Sequence, residues 1–163
     1  MRARFLLAVL VLSAPAAAQS PADAAGLQWA GASGNTAGTF CWGFQCVPSS
    51  TSVAPGESVT LLVRGVELNA IFLVGVSATA TSCIPIPGIA HSLVLDPPIY
   101  VAFSGILDQP SPILACPDAY KTIPFVFPST AIPGSSFGVQ AFVLPNSTSL
   151  PPTFTQAIVI TVS

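Results

Sequence analysis

Residues 58–66 read SVTLLVRGV, and this stretch decides the fold because its apolar residues recur with a period of two. Val59, Leu61 and Val63 fall on one face of an extended chain, and the residues between them fall on the other. A helix would need apolar residues every three or four positions instead. The alternation therefore predicts a β-strand with one buried face.

Six further segments have the composition of strands, at residues 71–78, 93–95, 99–106, 123–127, 137–144 and 154–162. The last repeats the alternation, with Ile158, Ile160 and Val162 on one face. Pro-Gly pairs at 55–56 and 133–134 each precede a predicted strand that opens near a serine. Each pair predicts a turn, because proline presets its backbone angle and glycine supplies positive φ. The 17 prolines would interrupt helices. We predict an all-β fold, an immunoglobulin-like β-sandwich of about seven strands stapled by disulfides.

The first residues, MRARFLLAVLVLSAPAAAQS, have the organisation of a signal peptide. Two arginines precede an apolar run at 5–12, and Ala16-Ala17-Ala18 offers a small-residue cleavage site. The run is too short to span a bilayer, and proline or glycine interrupts every later apolar run. We expect a signal peptide at 1–18, an irregular lead-in at 19–39 with one short strand near 27–29, and one sandwich domain at 40–163. The protein would then be secreted, to a periplasm or the extracellular space, with no transmembrane segment in the mature chain.

The small number of charged residues argues against nucleic acid as a partner and against a calcium site. Without residues 1–18 the chain keeps only Arg64 and Lys121 against six acidic residues, so its net charge is −4. Two isolated cations make no electrostatic footprint for nucleic acid. The acidic residues form no calcium-loop motif, and we expect no metal and no cofactor.

The four cysteines, Cys41, Cys46, Cys83 and Cys116, are an even number in an exported chain, which favours disulfides. Three pairings are open. We favour Cys41–Cys46, which brackets the short CWGFQC loop, together with Cys83–Cys116, which would close a proline-rich insertion. The alternative of a zinc site lacks the usual ligand spacing.

Two sets of residues have the elements of catalytic chemistry. Residues 134–138, GSSFG, match the nucleophile elbow of serine hydrolases, but that elbow requires a strand before it, a helix after it and a later histidine. His91 is the only histidine and lies earlier, with Asp96 and Asp108 as sequence neighbours. We interpret GSSFG as the turn into a strand, His91 as a surface residue, and the protein as not an enzyme.

Trp42 and Phe44 are the candidate ligand-binding residues. A Cys41–Cys46 bridge would hold both rings on a rigid tip, which suits stacking on sugar rings or anchoring a partner. The alternative is that they close one end of the sandwich.

The phrase PGESVTL at 55–61, followed by the apolar strand at 71–76, resembles bacterial immunoglobulin-like modules. Residues 132–144 resemble the end of small secreted β-domains found at the C-termini of large exported proteins. The resemblance covers about residues 36–163, and the cysteine-flanked insertion between residues 84 and 117 departs from it. It implies a secreted sandwich and brings no catalytic residues.

We therefore expect a non-enzymatic structural or adhesive module of the bacterial envelope or extracellular space. Its partners would be envelope components, other β-domains or extracellular polysaccharide. The alternative is a carbohydrate- or polymer-binding module that uses Trp42 and Phe44. The uncharged segment 154–162 is expected either to pair inside a sheet or to mediate self-association through an edge strand.

Overall fold

The structure is a computed structural model that describes residues 25–39, 46–111 and 119–163. Within these residues the chain forms thirteen strands: β1 (Ala25–Gly31), β2 (Thr36–Gly38), β3 (Ser49–Val53), β4 (Ser58–Gly65), β5 (Ile71–Ser77), β6 (Ile84–Pro85), β7 (Ser92–Leu93), β8 (Tyr100–Ile106), β9 (Gln109–Pro110), β10 (Ala119–Val126), β11 (Ser136–Leu144), β12 (Thr153–Phe154) and β13 (Ile158–Val162). The described part of the chain contains no helix long and apolar enough to cross a membrane.

Two sheets form a sandwich, so the predicted all-β fold is confirmed. The first sheet has the order β2-β1-β4-β10-β9, and the second has the order β3-β13-β11-β5-β8, with β12 also paired to β11. Strands β6 and β7 form a separate small hairpin. All named strand pairs are antiparallel except β3 with β13, which run parallel.

The core lies between the inner faces of the two sheets, where the predicted alternation is confirmed. Val59, Leu61 and Val63 of β4 are buried, and so are Ile158 and Ile160 of β13. They pack with the largest buried side chains of the other central strands, among them Leu27 of β1 and Phe72 of β5. The alternation of apolar residues along these strands thus determines which of their side chains point into the core.

The two Pro-Gly turns are built alike. Gly56 has φ 79° and Gly134 has φ 83°, values that glycine adopts without a steric penalty. Gly56 N donates to Phe127 O at 3.1 Å, and Phe127 N donates to Glu57 O at 2.8 Å. Gly134 N likewise donates to Val162 O at 2.8 Å, and Val162 N donates to Ser135 O at 2.9 Å. Each turn therefore fastens the start of one strand to the end of its neighbour.

Several segments differ from the sequence expectation. β10 begins at Ala119, before the predicted strand at 123–127, and two larger differences follow. Residues 25–39, which belong to the expected irregular lead-in, form β1 and β2. β1 is longer than the short strand predicted near 27–29, and its side chains belong to the core. The predicted strand 154–162 is divided at Thr155, because Ala141 N donates to Thr155 Oγ1 at 3.0 Å while Thr155 O accepts from Gln140 Nε2 at 2.8 Å. The hydroxyl of Thr155, rather than its carbonyl, thus accepts the hydrogen bond from β11. Regular backbone pairing with β11 resumes at Ile158.

The last strand has neighbours on both edges. β13 lies between β11 and β3, and Ile158 to Val162 pair in register with Ser49 to Val53. Of the two roles expected for this segment, internal pairing is confirmed. β3, which the sequence analysis did not predict, covers the edge.

Candidate binding surfaces

Residues 78–99, here called the crossing segment, run over the outer face of the second sheet. Ala80, Val94 and Leu95 form a small buried cluster there with Ala157. The segment approaches closely because Gly138 of β11 has no side chain. A Cβ at that position would lie 2.6 Å from Ala80 Cβ and 2.9 Å from Leu95 Cδ2.

Asp96 fastens the crossing segment to itself. Its carboxylate accepts hydrogen bonds from Thr81 N at 3.0 Å, from Thr81 Oγ1 at 2.9 Å and from the Ser82 hydroxyl. The Ser82 hydrogen bond is the largest of the causes that hold the pKa of Asp96 well below its usual range, and the Thr79 and Thr81 bonds add to it. The carboxylate is therefore a structural hydrogen-bond acceptor.

A disulfide joins Cys46 to Cys83, with their Cα atoms 5.4 Å apart, and so ties the crossing segment to the chain just before β3. The favoured pairing of Cys41 with Cys46 and of Cys83 with Cys116 is therefore wrong, although Cys46 and Cys83 are disulfide-bonded as predicted. The fold, rather than the short spacing of Cys41 and Cys46, decides which thiols meet. By the chain-entropy relation a loop of 37 residues gives about 3–4 kcal/mol of stabilisation.

An apolar pocket opens between the crossing segment and the outer face of β5, β8 and β11. We call it the outer cup, and its volume is about 290 Å³. Its walls are Leu73, Leu93, Ile99, Val101, Phe142 and Phe154. Phe142 and Phe154 are opposite one another on β11 and β12, with ring centroids 5.1 Å apart.

Gln140 is the polar residue of the outer cup, and its amide makes three hydrogen bonds within the protein. Its Oε1 accepts from Val94 N at 2.9 Å, and its Nε2 donates to Ser92 O at 3.0 Å and to Thr155 O at 2.8 Å. The side chain is buried and joins the crossing segment to the second sheet. Both amide protons of Gln140 are donated within the protein, so the outer cup offers a ligand mainly apolar contact area.

β8 borders the outer cup as the last strand of the second sheet. Its sequence is YVAFSGI, without charge or proline, and Tyr100 is 65% and Val101 61% exposed. Val74 pairs with Phe103 but the next residue, Gly75, pairs with Val101, so Ala102 forms a bulge. The bulge lets Val101 line the outer cup while Phe103 faces the sandwich interior.

The predicted ligand-binding residues Trp42 and Phe44 lie outside the described residues, as do Cys41 and Cys116. Sequence reasoning missed Phe142 and Phe154. The signal was present, because residues 139–143 read VQAFV and are apolar on both faces of the strand except at Gln140. A strand with two apolar faces is covered on both sides.

Ser135, Asp96 and Asp108, which belong to the sets considered for catalysis, make structural contacts. Ser135 Oγ donates to Ile132 O at 2.6 Å within the turn, and Ser136 opens β11, so GSSFG is the predicted strand-entry turn. Asp108 forms an ion pair with Lys121, and Asp96 bonds within the crossing segment. His91 has a positive φ of 65° in the turn before β7. Among the described residues no group of three His, Cys, Asp or Glu side chains has the arrangement of a metal site.

No protein-family model matches the chain, and no curated protein matches it significantly. Two solved structures are similar to it: an AA10 lytic polysaccharide monooxygenase from Streptomyces lividans, at 16% identity and a TM-score of 0.40, and a chitin binding domain from Burkholderia pseudomallei, at 13% and 0.39. Each match covers 72% of this chain, but only 60% of the first protein and 57% of the second. Likeness at this distance leaves the function to be argued from the chain's own residues.

Proposed function

We propose that this protein is an exported, non-enzymatic structural module that assembles with copies of itself by strand addition at β8. The observation that carries the proposal is the seven-residue edge of β8, which is uncharged, apolar and exposed. Natural sheets normally protect such an edge with charge, proline or a covering segment. Among the described residues β8 has none of these three devices and only the bulge at Ala102 interrupts its edge, so the edge has the character of an interface.

Pairing between two copies fits the sequence of β8. Antiparallel pairing with a second copy would bring two exposed and largely apolar edges together. No like charges would oppose each other, because β8 carries none. Backbone hydrogen bonds would supply affinity, and the outer cup beside Val101 would receive side chains of the added strand.

Export is supported by the signal-peptide organisation and by the Cys46–Cys83 disulfide, since disulfides persist in oxidising compartments. The proposal that the protein is not an enzyme is supported by the hydrogen bonds that hold Asp96 within the crossing segment, and by the strand after Ser135, where a nucleophile elbow requires a helix. A panel of hydrolase substrates tests this part. Activity that disappears on His91→Ala or Ser136→Ala would contradict it.

Carbohydrate binding through Trp42 and Phe44 is the competing function. A pull-down on insoluble polysaccharides, with Trp42→Ala as the comparison, separates it from assembly. Retention of the wild-type protein that Trp42→Ala abolishes would favour binding of the polymer over the structural role.

The assembly test places a charge on the proposed interface. Val101→Lys should shift the protein towards monomer, because it brings an unpaired charge to the added strand, and Val101 is exposed enough for the fold to tolerate lysine. Ile132→Lys is the matched control, since Ile132 is 74% exposed and lies in the turn before β11. Sedimentation velocity over a hundredfold range of concentration should show dimer for the wild type and Ile132→Lys only. A wild type that remains monomeric throughout would refute the proposal.

A further inference from the structure

The crossing segment is joined by a covalent bond to the edge of the second sheet. It leaves the end of β5, and its residue Ala80 lies against Gly138 of β11. Cys83 is then bonded to Cys46, which lies three residues before β3, the edge strand next to β13. The chain returns from there through β6 and β7 to β8. The disulfide therefore holds the segment at the edge of the sheet opposite to β8.

The crossing segment packs separately from the core of the sandwich. Its buried cluster of Ala80, Val94 and Leu95 with Ala157 is distinct from the cluster between the two sheets. Residues 83–93, which follow the first part of this cluster in the chain, are all exposed or half-buried. Stretches with few buried contacts open locally at a lower free energy than the core does. Residues 83–93 can therefore loosen while the two sheets stay packed.

Residues 83–93 are also held to the sandwich by hydrogen bonds. Ala90 N donates to Pro152 O at 2.7 Å, and Ala90 O accepts from Phe154 N at 3.0 Å. All three residues are half-buried, so water competes for these groups once the segment moves. A hydrogen bond that can be exchanged for one to water contributes little net stability. The disulfide is therefore the strongest of these connections.

Both cysteines of the bridge are exposed, so an external dithiol can reach the bridge in the folded protein. A thiolate of the dithiol attacks one sulfur, which forms a mixed disulfide and releases the other cysteine as a thiolate. The second thiol of the dithiol then attacks the mixed disulfide. The dithiol leaves as a disulfide, and Cys46 and Cys83 have taken up two electrons and two protons to become thiols.

We propose that the Cys46–Cys83 disulfide is a redox-sensitive connection: reduction by a dithiol releases residues 83–93 from the edge of the second sheet while the sandwich stays folded. Ile89 and Leu93 belong to this stretch and line the outer cup. Reduction therefore removes part of the wall of the outer cup, and the redox state of the bridge controls the shape of that cavity. The proposal does not depend on assembly through β8.

Dithiothreitol tests the proposal on the ¹⁵N-labelled mature protein. Alkylation and peptide mapping should show that it reduces the Cys46–Cys83 bridge in native buffer at a rate within about tenfold of the rate in denaturant. In the reduced and alkylated protein, the Ala90 amide should exchange with solvent at least about tenfold faster. The amide signals of β4 should keep their positions, because the core between the sheets is intact.

Cys46→Ser combined with Cys83→Ser is the matched variant, because it lacks the bridge without any reductant. It should reproduce the spectrum of the reduced protein, and dithiothreitol should then change nothing further in the crossing segment, which separates this bridge from Cys41 and Cys116. If the variant does not fold, reduction of the wild type alone decides. A bridge that is reduced only in denaturant would overturn the proposal. Loss of the β4 signals on reduction would also do so, as would an Ala90 exchange rate that changes by less than about twofold.

Discussion

Gln140 should contribute more to stability than any exposed polar residue of this chain, and Gln140→Leu tests that expectation. Leucine fills a similar volume but removes three hydrogen bonds, to Val94 N, Ser92 O and Thr155 O. Val94 is fully buried, so its N–H would be left without water or protein as a partner. At about 1 kcal/mol for each bond, the free energy of unfolding should fall by about 3 kcal/mol.

Chemical denaturation and thermal melting measure this loss, which for a domain of this size corresponds to about 10 °C in the midpoint. Gln109→Leu is the matched control, because Gln109 is exposed on β9 and should change stability by less than about 0.5 kcal/mol. Hydrogen exchange adds a local readout, since the Val94 amide should lose protection before the amides of β4. Equal stability of the two leucine variants would refute the assignment of Gln140 as the connection between the crossing segment and the sheet.

Two further substitutions test the crossing segment. Because the pKa of Asp96 is depressed in the folded protein, its contribution is complete above the unfolded value near 3.8 and is lost as pH falls towards the folded value. Denaturation midpoints against pH should therefore fall more steeply below pH 4 for the wild type than for Asp96→Asn, and parallel curves would contradict this. Gly138→Ala should cost about 1–3 kcal/mol, because its methyl would overlap Ala80 Cβ, and adding Ala80→Gly should recover part of that loss in the same denaturation assay.

Local pattern was sufficient for the strands that form the core. The alternation in residues 58–66 determines the inner face of β4, and Pro-Gly turns start β4 and β11 as predicted. These features depend on residues close in sequence, for which periodicity and turn chemistry are direct signals.

Features that depend on distant pairing could not be predicted in the same way. β3 reads SSTSV, has little apolar alternation, and is a strand because β13 offers it a ladder from the other end of the chain. The Cys46–Cys83 bridge likewise follows from where the crossing segment is packed. The outer cup combines β5, β8, β11 and β12 with that segment, so its walls come together only in three dimensions.

This chain has few charged residues with which to protect the edges of its sheets. The other edge strands are protected in other ways, and β8 differs from them. β2 and β9 are only three and two residues long, too short to add a strand stably. β3 is rich in serine. β10 contains Lys121, which carries a charge, and Pro124, which has no backbone N–H to donate. Each of these edges is therefore protected by shortness, polarity, charge or proline. In the described ranges β8 is protected only by the bulge at Ala102, and from Phe103 to Ile106 it continues in regular register with β5. A single lysine is enough to protect an edge strand from pairing. Val101→Lys therefore tests directly whether the exposed edge of β8 mediates assembly.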